Sequence, residues 1–362
     1  MIYLTFNDLP SGVYESQVIN KCIRKNKNSK TIKIIAFIPL RNFIANKKKI
    51  HQYKNLISIT VIPQFPFIKL WKLNLFTLVI SSFFFNFKEI QGRGVYAAYL
   101  ALLLKKLKIA KYIIYDGRGA SYEECLEYKM IDNKKHLRSL YNAEKKVINQ
   151  SDFCFAVSHK LVDYWMKEFS FKGNHEITPC KPSKNFYFQF PKEIKSLSEK
   201  NIPFTAEDVI MVFSGGNALW QSYKLIVELF EFQKKYNPNI KLLLLCPLND
   251  YVNYLLKKYP GSVINKFVEP KQIRSHLLCC DYGILFREKT ITNYVSSPVK
   301  FGEYLSCGLK ILISDNIGDY SDLVSKNNLG HVISDLSKKI ILKKVDYETK
   351  LNQQSFSYQY FK

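Results

Sequence analysis

The stretch Ser296-Ser297-Pro298-Val299-Lys300-Phe301-Gly302-Glu303-Tyr304-Leu305-Ser306-Cys307-Gly308-Leu309-Lys310-Ile311-Leu312-Ile313-Ser314 decides how the rest of the chain is read. It predicts a helix followed at once by a buried strand. Ser297 is the expected N-cap and Pro298 the expected first helical residue, because proline lacks an N–H that the first turn leaves unbonded anyway. Gly308 is the expected stop, since glycine takes the left-handed conformation that closes helices. The run 309–314 then reads as an apolar strand. A helix opening at the end of a strand aims unbonded N–H groups and a positive dipole end at an anion. Lys300 and Glu303 fall in its first turns on one face. Lys300 would neutralise phosphate charge, and Glu303 would accept hydrogen bonds from ribose hydroxyls. A plain surface helix with an i,i+3 Lys–Glu pair is the alternative.

Working outward, the same alternation of apolar run and helical pattern recurs along most of the 362 residues. Strands are expected at 1–6, 31–37, 56–62, 111–116, 153–158, 209–214, 241–246, 282–286 and 309–314. Helices are expected between them, as at 95–107, 137–149, 225–235 and 298–307. Such alternation means parallel sheets covered on both faces, an α/β protein. The length suits two domains. The alternation lapses over a Pro-, Lys- and Ser-rich stretch, so the expected division is a Rossmann-like domain at 1–185, a linker at 186–205, a second domain at 206–345, and a tail at 346–362 that packs back on the first. Two doubly wound domains would face a central cleft lined by strand C-terminal ends, where ligands bind.

A second stretch supports the first. Val209-Ile210-Met211-Val212-Phe213-Ser214-Gly215-Gly216-Asn217-Ala218-Leu219-Trp220-Gln221 is a strand, a double glycine that lets backbone approach an anion, and a Trp-Gln pair. Together the two stretches resemble glycosyltransferase family 4 and its GT-B relatives, of the bacterial surface-polysaccharide type. Members show Pro-x-Lys-x-x-Glu-Tyr-Leu-x-x-Gly followed by an apolar strand. The resemblance covers roughly 205–335 and reaches the N-terminal half only in pattern. It implies a GT-B fold, and transfer of a sugar from a nucleotide-diphosphate donor to a glycan, with retention. Gly215, Gly216, Trp220, Arg287, Ser297, Pro298, Lys300 and Glu303 would bind the donor. Many members carry a second Glu eight positions before the one matching Glu303; this chain has Val295 there. Arg287, Glu288 and Asn293 are the candidates to replace it.

In the N-terminal half, Tyr115-Asp116-Gly117-Arg118-Gly119 ends a strand with charge between glycines. Some polysaccharide glycosyltransferases show a similar Asp-x-Arg-Gly. Asp116 would orient or deprotonate the acceptor hydroxyl and Arg118 would hold an anionic acceptor group; a structural Asp–Arg pair is the alternative. Gly12, Arg93 and His159 are further acceptor-side candidates. Gly92-Arg93-Gly94 with Asp116 downstream also approaches a dinucleotide fingerprint, but too late in the strand order.

Composition narrows the class. The chain is 47% apolar and carries a net charge of +24. Residues 1–185 hold 31 Lys and Arg against 13 Asp and Glu, while 186–362 hold 23 against 17. The basic half points to an anionic partner, and we expect a membrane surface and a lipid-linked acceptor rather than nucleic acid, for which no motif is present. The most apolar segment, 65–87, is interrupted by Lys69, Lys72 and Asn74 and so reads as a surface or covering helix rather than a span. With no apolar leader at the start, the expected location is cytoplasmic, peripheral at the inner face of the membrane. No Cys-x-x-Cys and no Asp-x-Asp occur, so we expect no metal and no cofactor beyond the nucleotide-sugar substrate. A nucleotide-sugar epimerase, an NAD(P)-binding enzyme and a non-catalytic basic binding protein are the rival readings.

Overall fold

The structure, a computed structural model, describes residues 1–27, 31–65, 68–187 and 202–362. Most of the expected linker at 186–205 lies outside these residues. The described strands form two sheets in which every neighbour is parallel. The first holds β1 (Ile2–Phe6), β2 (Lys33–Ile38), β3 (Ser58–Pro63), β4 (Glu89–Arg93), β5 (Tyr112–Asp116), β6 (Phe153–Ala156) and β7 (His175–Ile177), in the order β3-β2-β1-β4-β5-β6-β7. The second holds β8 (Val209–Ser214), β9 (Ile240–Leu245), β10 (Val263–Asn265), β11 (Tyr282–Leu285), β12 (Lys310–Ser314) and β13 (Gly330–Ile333), in the order β10-β9-β8-β11-β12-β13. Helices cover both faces, so central strands such as β1 and β8 are buried throughout. Apolar residues on every position, not on alternate ones, are what such strands need.

Both orders reverse direction once, between β1 and β4 in the first sheet and between β8 and β11 in the second. Strand order that reverses leaves a crevice at the carboxyl ends of the two strands, because the flanking crossovers run to opposite faces. These two points set where each unit's functional groups are to be sought.

Two compact units divide the chain: Met1–Cys180 with Tyr294–Ser296, and Lys181–Asn293 with Ser297–Lys362. The segment 294–296 joins the first unit because the Ser158 hydroxyl donates to the Val295 carbonyl at 2.7 Å and the Lys160 ammonium lies 5.5 Å from the Tyr294 ring centre. The C-terminal helix Tyr347–Phe361 belongs to the second unit. Its Ser357 hydroxyl meets that of Ser306 at 2.8 Å, Lys350 donates to the Cys280 carbonyl at 2.7 Å, and Phe361 enters the core around Phe301 and Tyr304. Gly302 has no room for a side chain there: a Cβ would stand 2.7 Å from the Phe361 ring. Seven of the eight cysteines are buried, and none forms a disulfide.

Candidate functional site

In the second unit the switch point is built by three elements. Strand β8 ends at Ser214 and runs into Gly215-Gly216, β11 runs into Phe286-Arg287, and the helix Val299–Ser306 starts nearby. Tyr304 ties this helix to the sheet, its hydroxyl accepting from the Ser214 N–H at 3.0 Å and its ring filling the space that a Cβ on Gly283 would need. Lys300 then reaches across β8. Its ammonium donates to the Gln221 side-chain oxygen, sits 4.1 Å from the Phe213 ring centre, and would be 2.5 Å from a Cβ on Gly215. A side chain at position 215 would have to displace the Lys300 ammonium. The Gly215 N–H is already bonded to Leu245 at 3.1 Å, which removes it from the amides expected to meet a pyrophosphate.

The electrostatics of this point are unsettled in a useful way. Burial, and then the nearby Arg287 guanidinium, hold the Lys300 ammonium well below its ordinary pKa. Burial pushes the Glu303 carboxyl up to about 7, against the pull of Lys300. A cation beside a second cation and a half-neutral acid is a setting that an incoming anion improves. Arg287 is itself buried; its Nη1 donates to Asn293 Oδ1 at 3.3 Å, and its backbone exchanges two bonds of 3.0 Å with the Ser314 hydroxyl. Asn293, offered by the sequence as a replacement for the missing Glu, is fully buried and donates to the Glu288 carbonyl at 3.0 Å. Val295 is buried as well, while Glu288 is exposed.

Two capping expectations change. The helix begins at Val299 with Pro298 as its N-cap, one residue later than expected, and no side chain caps it. The Ser297 hydroxyl instead pairs with that of Tyr320 at 2.7 Å, in a buried contact where the Tyr320 ring stacks on Phe301 at 4.0 Å. Tertiary pairing has outcompeted the local cap. Trp220 is half-buried on the turn Leu219–Gln221, and Gly216 is exposed with its carbonyl accepting from Tyr223. Gln221 is the residue the sequence quoted but did not assign.

The first unit's switch point gathers Asp116 at the end of β5, Arg93 at the end of β4 and Asp8 just past β1. Asp116 is fully buried and accepts from Lys21 at 2.7 Å, from the Tyr3 hydroxyl, and from Arg118 at 3.4 Å. Arg118 also donates to Gln17 Oε1 at 2.9 Å and to the Cys180 sulfur. Lys21 and Gln17 reach Asp116 and Arg118 because the helix that carries them opens through a π-helical turn, Glu15–Ile19, four residues separating the two. Although burial alone would raise it, the ammonium of Lys21 and the guanidinium of Arg118 hold the Asp116 carboxyl far below the usual carboxylate range. A carboxylate so held is a poor proton acceptor. Its contacts with Lys21 and Arg118 are those of the structural Asp–Arg pairing that stands as the alternative to an acceptor-side role.

The loop after Asp116 is fixed by packing. A Cβ on Gly117 would stand 2.5 Å from the buried Trp165 ring. The buried Glu144 carboxylate accepts from the Ser121 and Tyr122 N–H groups at 2.9 and 2.8 Å, capping the helix Ser121–Glu127. The glycines of Gly92-Arg93-Gly94 also have structural causes: Gly92 lies against the Ala98 backbone, and Gly94 has φ of +71°. Gly12 is exposed at the first helix, capped by Ser11, and His159 is exposed at the start of its helix, capped by Ser158. Among the described residues no three His, Cys, Asp or Glu side chains form a group fit for a metal ion.

No protein-family model matches the chain, and no curated protein matches it in sequence. Solved structures match along nearly its whole length. HepE of Anabaena, solved with UDP, superposes with a TM-score of 0.70 at 13% identity, covering 99% of this chain and 95% of that one. Sucrose-phosphate synthase of Thermosynechococcus elongatus gives 0.67 at 10% identity, with 93% and 87% covered. WaaG, a glycosyltransferase involved in lipopolysaccharide biosynthesis, gives 0.66 at 10% identity, with 100% and 95% covered. Identities this low carry the architecture alone. Two parallel sheets of Rossmann order, matched from end to end by these proteins, give the chain the GT-B glycosyltransferase fold.

Proposed function

We propose that this protein is a glycosyltransferase that moves a sugar from a nucleotide-diphosphate donor to a glycan acceptor. The observation that carries the reading is Lys300: a cation lodged at the second unit's switch point, beside Arg287 and Glu303, against a glycine where a side chain would displace it. Breaking the bond between anomeric carbon and diphosphate builds negative charge on the leaving group. Lys300, Arg287 and the unbonded N–H groups at the start of the helix Val299–Ser306 would stabilise that charge without a metal. Glu303, poised near neutrality, would accept from the ribose of the bound nucleotide. HepE structures holding UDP, and UDP with glucose, support a nucleotide-sugar donor for this chain. Retention of anomeric configuration belongs to the same proposal.

The acceptor side is assigned to the first unit, with Arg93 and Arg118 as its contacts. We place the protein peripherally on the cytoplasmic face of an anionic membrane, working on a lipid-linked acceptor of a surface polysaccharide. No described helix is long and apolar enough to cross a membrane. Residues 16–88 hold 14 Lys and Arg and no Asp or Glu. Within them the helix Asn74–Ser82 and the turn after it display Phe76, Ile80, Phe83 and Phe84, 71, 58, 81 and 75% exposed. Trp71 is buried against Tyr96 and Tyr99, as in a helix that covers the sheet.

Calorimetric titration with nucleoside diphosphates tests the donor site. Lys300→Ala and Glu303→Ala should each weaken binding at least tenfold, a charge-assisted hydrogen bond being worth about 1.5–3 kcal/mol. Full affinity in both variants refutes the assignment. Sugar nucleotide altered with no acceptor present would show an epimerase instead.

A further inference from the structure

The first unit's switch point contains more buried positive charge than it needs. Lys21, Arg93 and Arg118 have side chains 9, 9 and 15% exposed, and they face two carboxylates, Asp116 at 0% and Asp8 at 31%. Lys25 adjoins them, bonded to Gln91 Oε1 at 3.0 Å and lying 4.5 Å from the Phe155 ring centre. Asp116 is taken up by Lys21, Arg118 and Tyr3. Asp8 meets Arg93 through Nε at 3.2 Å. The Nη1 of Arg93 is closed to solvent and has no hydrogen-bond acceptor among the described residues. Buried cations left unmatched cost several kcal/mol each, and a guanidinium edge is shaped to take two oxygens at once. Arg93 is held by one oxygen on one nitrogen.

The exposed edge of the cluster is at Asp8. Asp8 lies on the loop between Asn7, with φ of +61°, and the capping Ser11, next to Leu9, which is half exposed. Burial raises the Asp8 carboxyl above its usual range, so it is the weaker of the two anions. An incoming anion at this edge can share or take over Arg93 from Asp8 and reach Arg118, while Lys21 and Arg118 stay anchored on Asp116.

We propose that Arg93 and Arg118, with Lys21 behind them, form a subsite for an anionic group, a carboxylate or a phosphate. That this group is carried by the sugar acceptor rests on the transferase reading above; anion binding itself does not.

Three probes distinguish the sources on the full chain: glucuronate for a carboxylate, glucose 6-phosphate for a phosphate, and glucose as the neutral control. Each is titrated by calorimetry into the parent, Lys300→Gln, Arg93→Gln and Arg118→Gln. At least one anion should bind the parent and Lys300→Gln alike, at least tenfold more tightly than glucose. Arg93→Gln and Arg118→Gln should each lose tenfold or more of that affinity. The subsite is overturned if neither anion outbinds glucose, if Lys300→Gln abolishes the binding, or if both arginine variants retain it. Should the buried arginine variants fail to fold, nitrogen NMR of the lysine ammonium groups in the parent decides. The titration of Lys21, expected near 8 alone, should move upward with the bound anion, and an unmoved titration overturns the proposal. Nucleoside-diphosphate binding is measured alongside. Its retention without anion binding removes the subsite alone; anion binding without it removes the transferase reading and leaves the subsite.

Discussion

Replacing Asp116 by Asn tests whether one carboxylate holds the first unit's charge cluster together. The shape is kept and one charge is lost. Lys21, Arg118 and the Tyr3 hydroxyl all lose their anionic acceptor. Removing one partner of a buried pair costs about 3–5 kcal/mol when the survivor cannot adapt. Lys21 can adapt. Burial already lowers it from 10.5 to about 8 despite Asp116. At somewhat over 1 kcal/mol per pH unit, the parent therefore carries about 3 kcal/mol of that cost at pH 7. Without Asp116 the ammonium falls further and sheds its proton at pH 7. Its added penalty is then capped near 1 kcal/mol, the interval from about 8 to 7. The part-exposed pair with Arg118 and the Tyr3 hydrogen bond add about 1–2 kcal/mol together. The expected loss is about 3 kcal/mol at pH 7.

The pH dependence makes this specific. A lysine with a lowered folded pKa leaves the folded state binding fewer protons than the unfolded chain, so stability rises with pH between the folded value and 10.5. In the parent that rise begins near 8. In Asp116→Asn it begins below 7. The gap between the two proteins should therefore shrink by about 1 kcal/mol from pH 7 to pH 9. Urea unfolding followed by tryptophan fluorescence measures both, and adding Lys21→Met to Asp116→Asn should recover the lysine's share. A loss under about 1 kcal/mol at pH 7, or one that is equal at both pH values, refutes the account.

Three further outcomes follow from the geometry. Gly215→Ala puts a Cβ 2.5 Å from the flexible end of Lys300, so the chain should fold with a nearly unchanged Tm while nucleoside-diphosphate affinity falls about tenfold; unchanged affinity would detach Lys300 from the donor. Sugar transfer should persist in excess EDTA, and loss that magnesium or manganese restores would show that charge on the leaving group is met by a metal. Binding to anionic vesicles should weaken with salt, on changing Phe76, Phe83 and Phe84 to Ser, and on changing Lys47, Lys48, Lys49, Lys69 and Lys72 to Gln, each lysine near the surface contributing about 1 kcal/mol. Parent-like binding by both variants removes the membrane claim.

The strands legible in the sequence, such as β1, β5, β8, β9 and β12, are those built around an unbroken apolar run, because a strand covered on both faces needs few polar positions. The unread ones break that pattern for local reasons. Strand β4 carries Glu89, Gln91 and Gly92, yet Gln91 is fully buried and Gly92 is demanded by the Ala98 backbone of the next helix. Strands β7, β10 and β13 are three or four residues long, too short to show a period. Lys300 and Glu303 were legible because one helix and its flanks carry the signal. Lys21, Gln17 and Asp8 were not. Lys21 sits among several lysines in sequence, and only a contact with a residue 95 positions away distinguishes it.

The two switch points show why the same topological position serves two roles. At the first, each cation has a carboxylate within reach, and the Asp116 carboxyl is held far below its usual range, so most of the cluster is settled before any ligand arrives. The Arg93 edge is left short of an acceptor. At the second, the carboxylate nearest in effect to Lys300 is pushed toward neutrality, and the next charge, Arg287, has the same sign. That arrangement gives little stability by itself. It becomes favourable when two or more negative charges enter, since a diphosphate restores charge to Lys300 and satisfies Arg287 together. Selection for folding alone would have replaced Lys300 by an apolar residue packing on Phe213 and freed Gly215 to be alanine. The pairing of a buried lysine with a glycine beside it is the feature on which the proposed donor site rests.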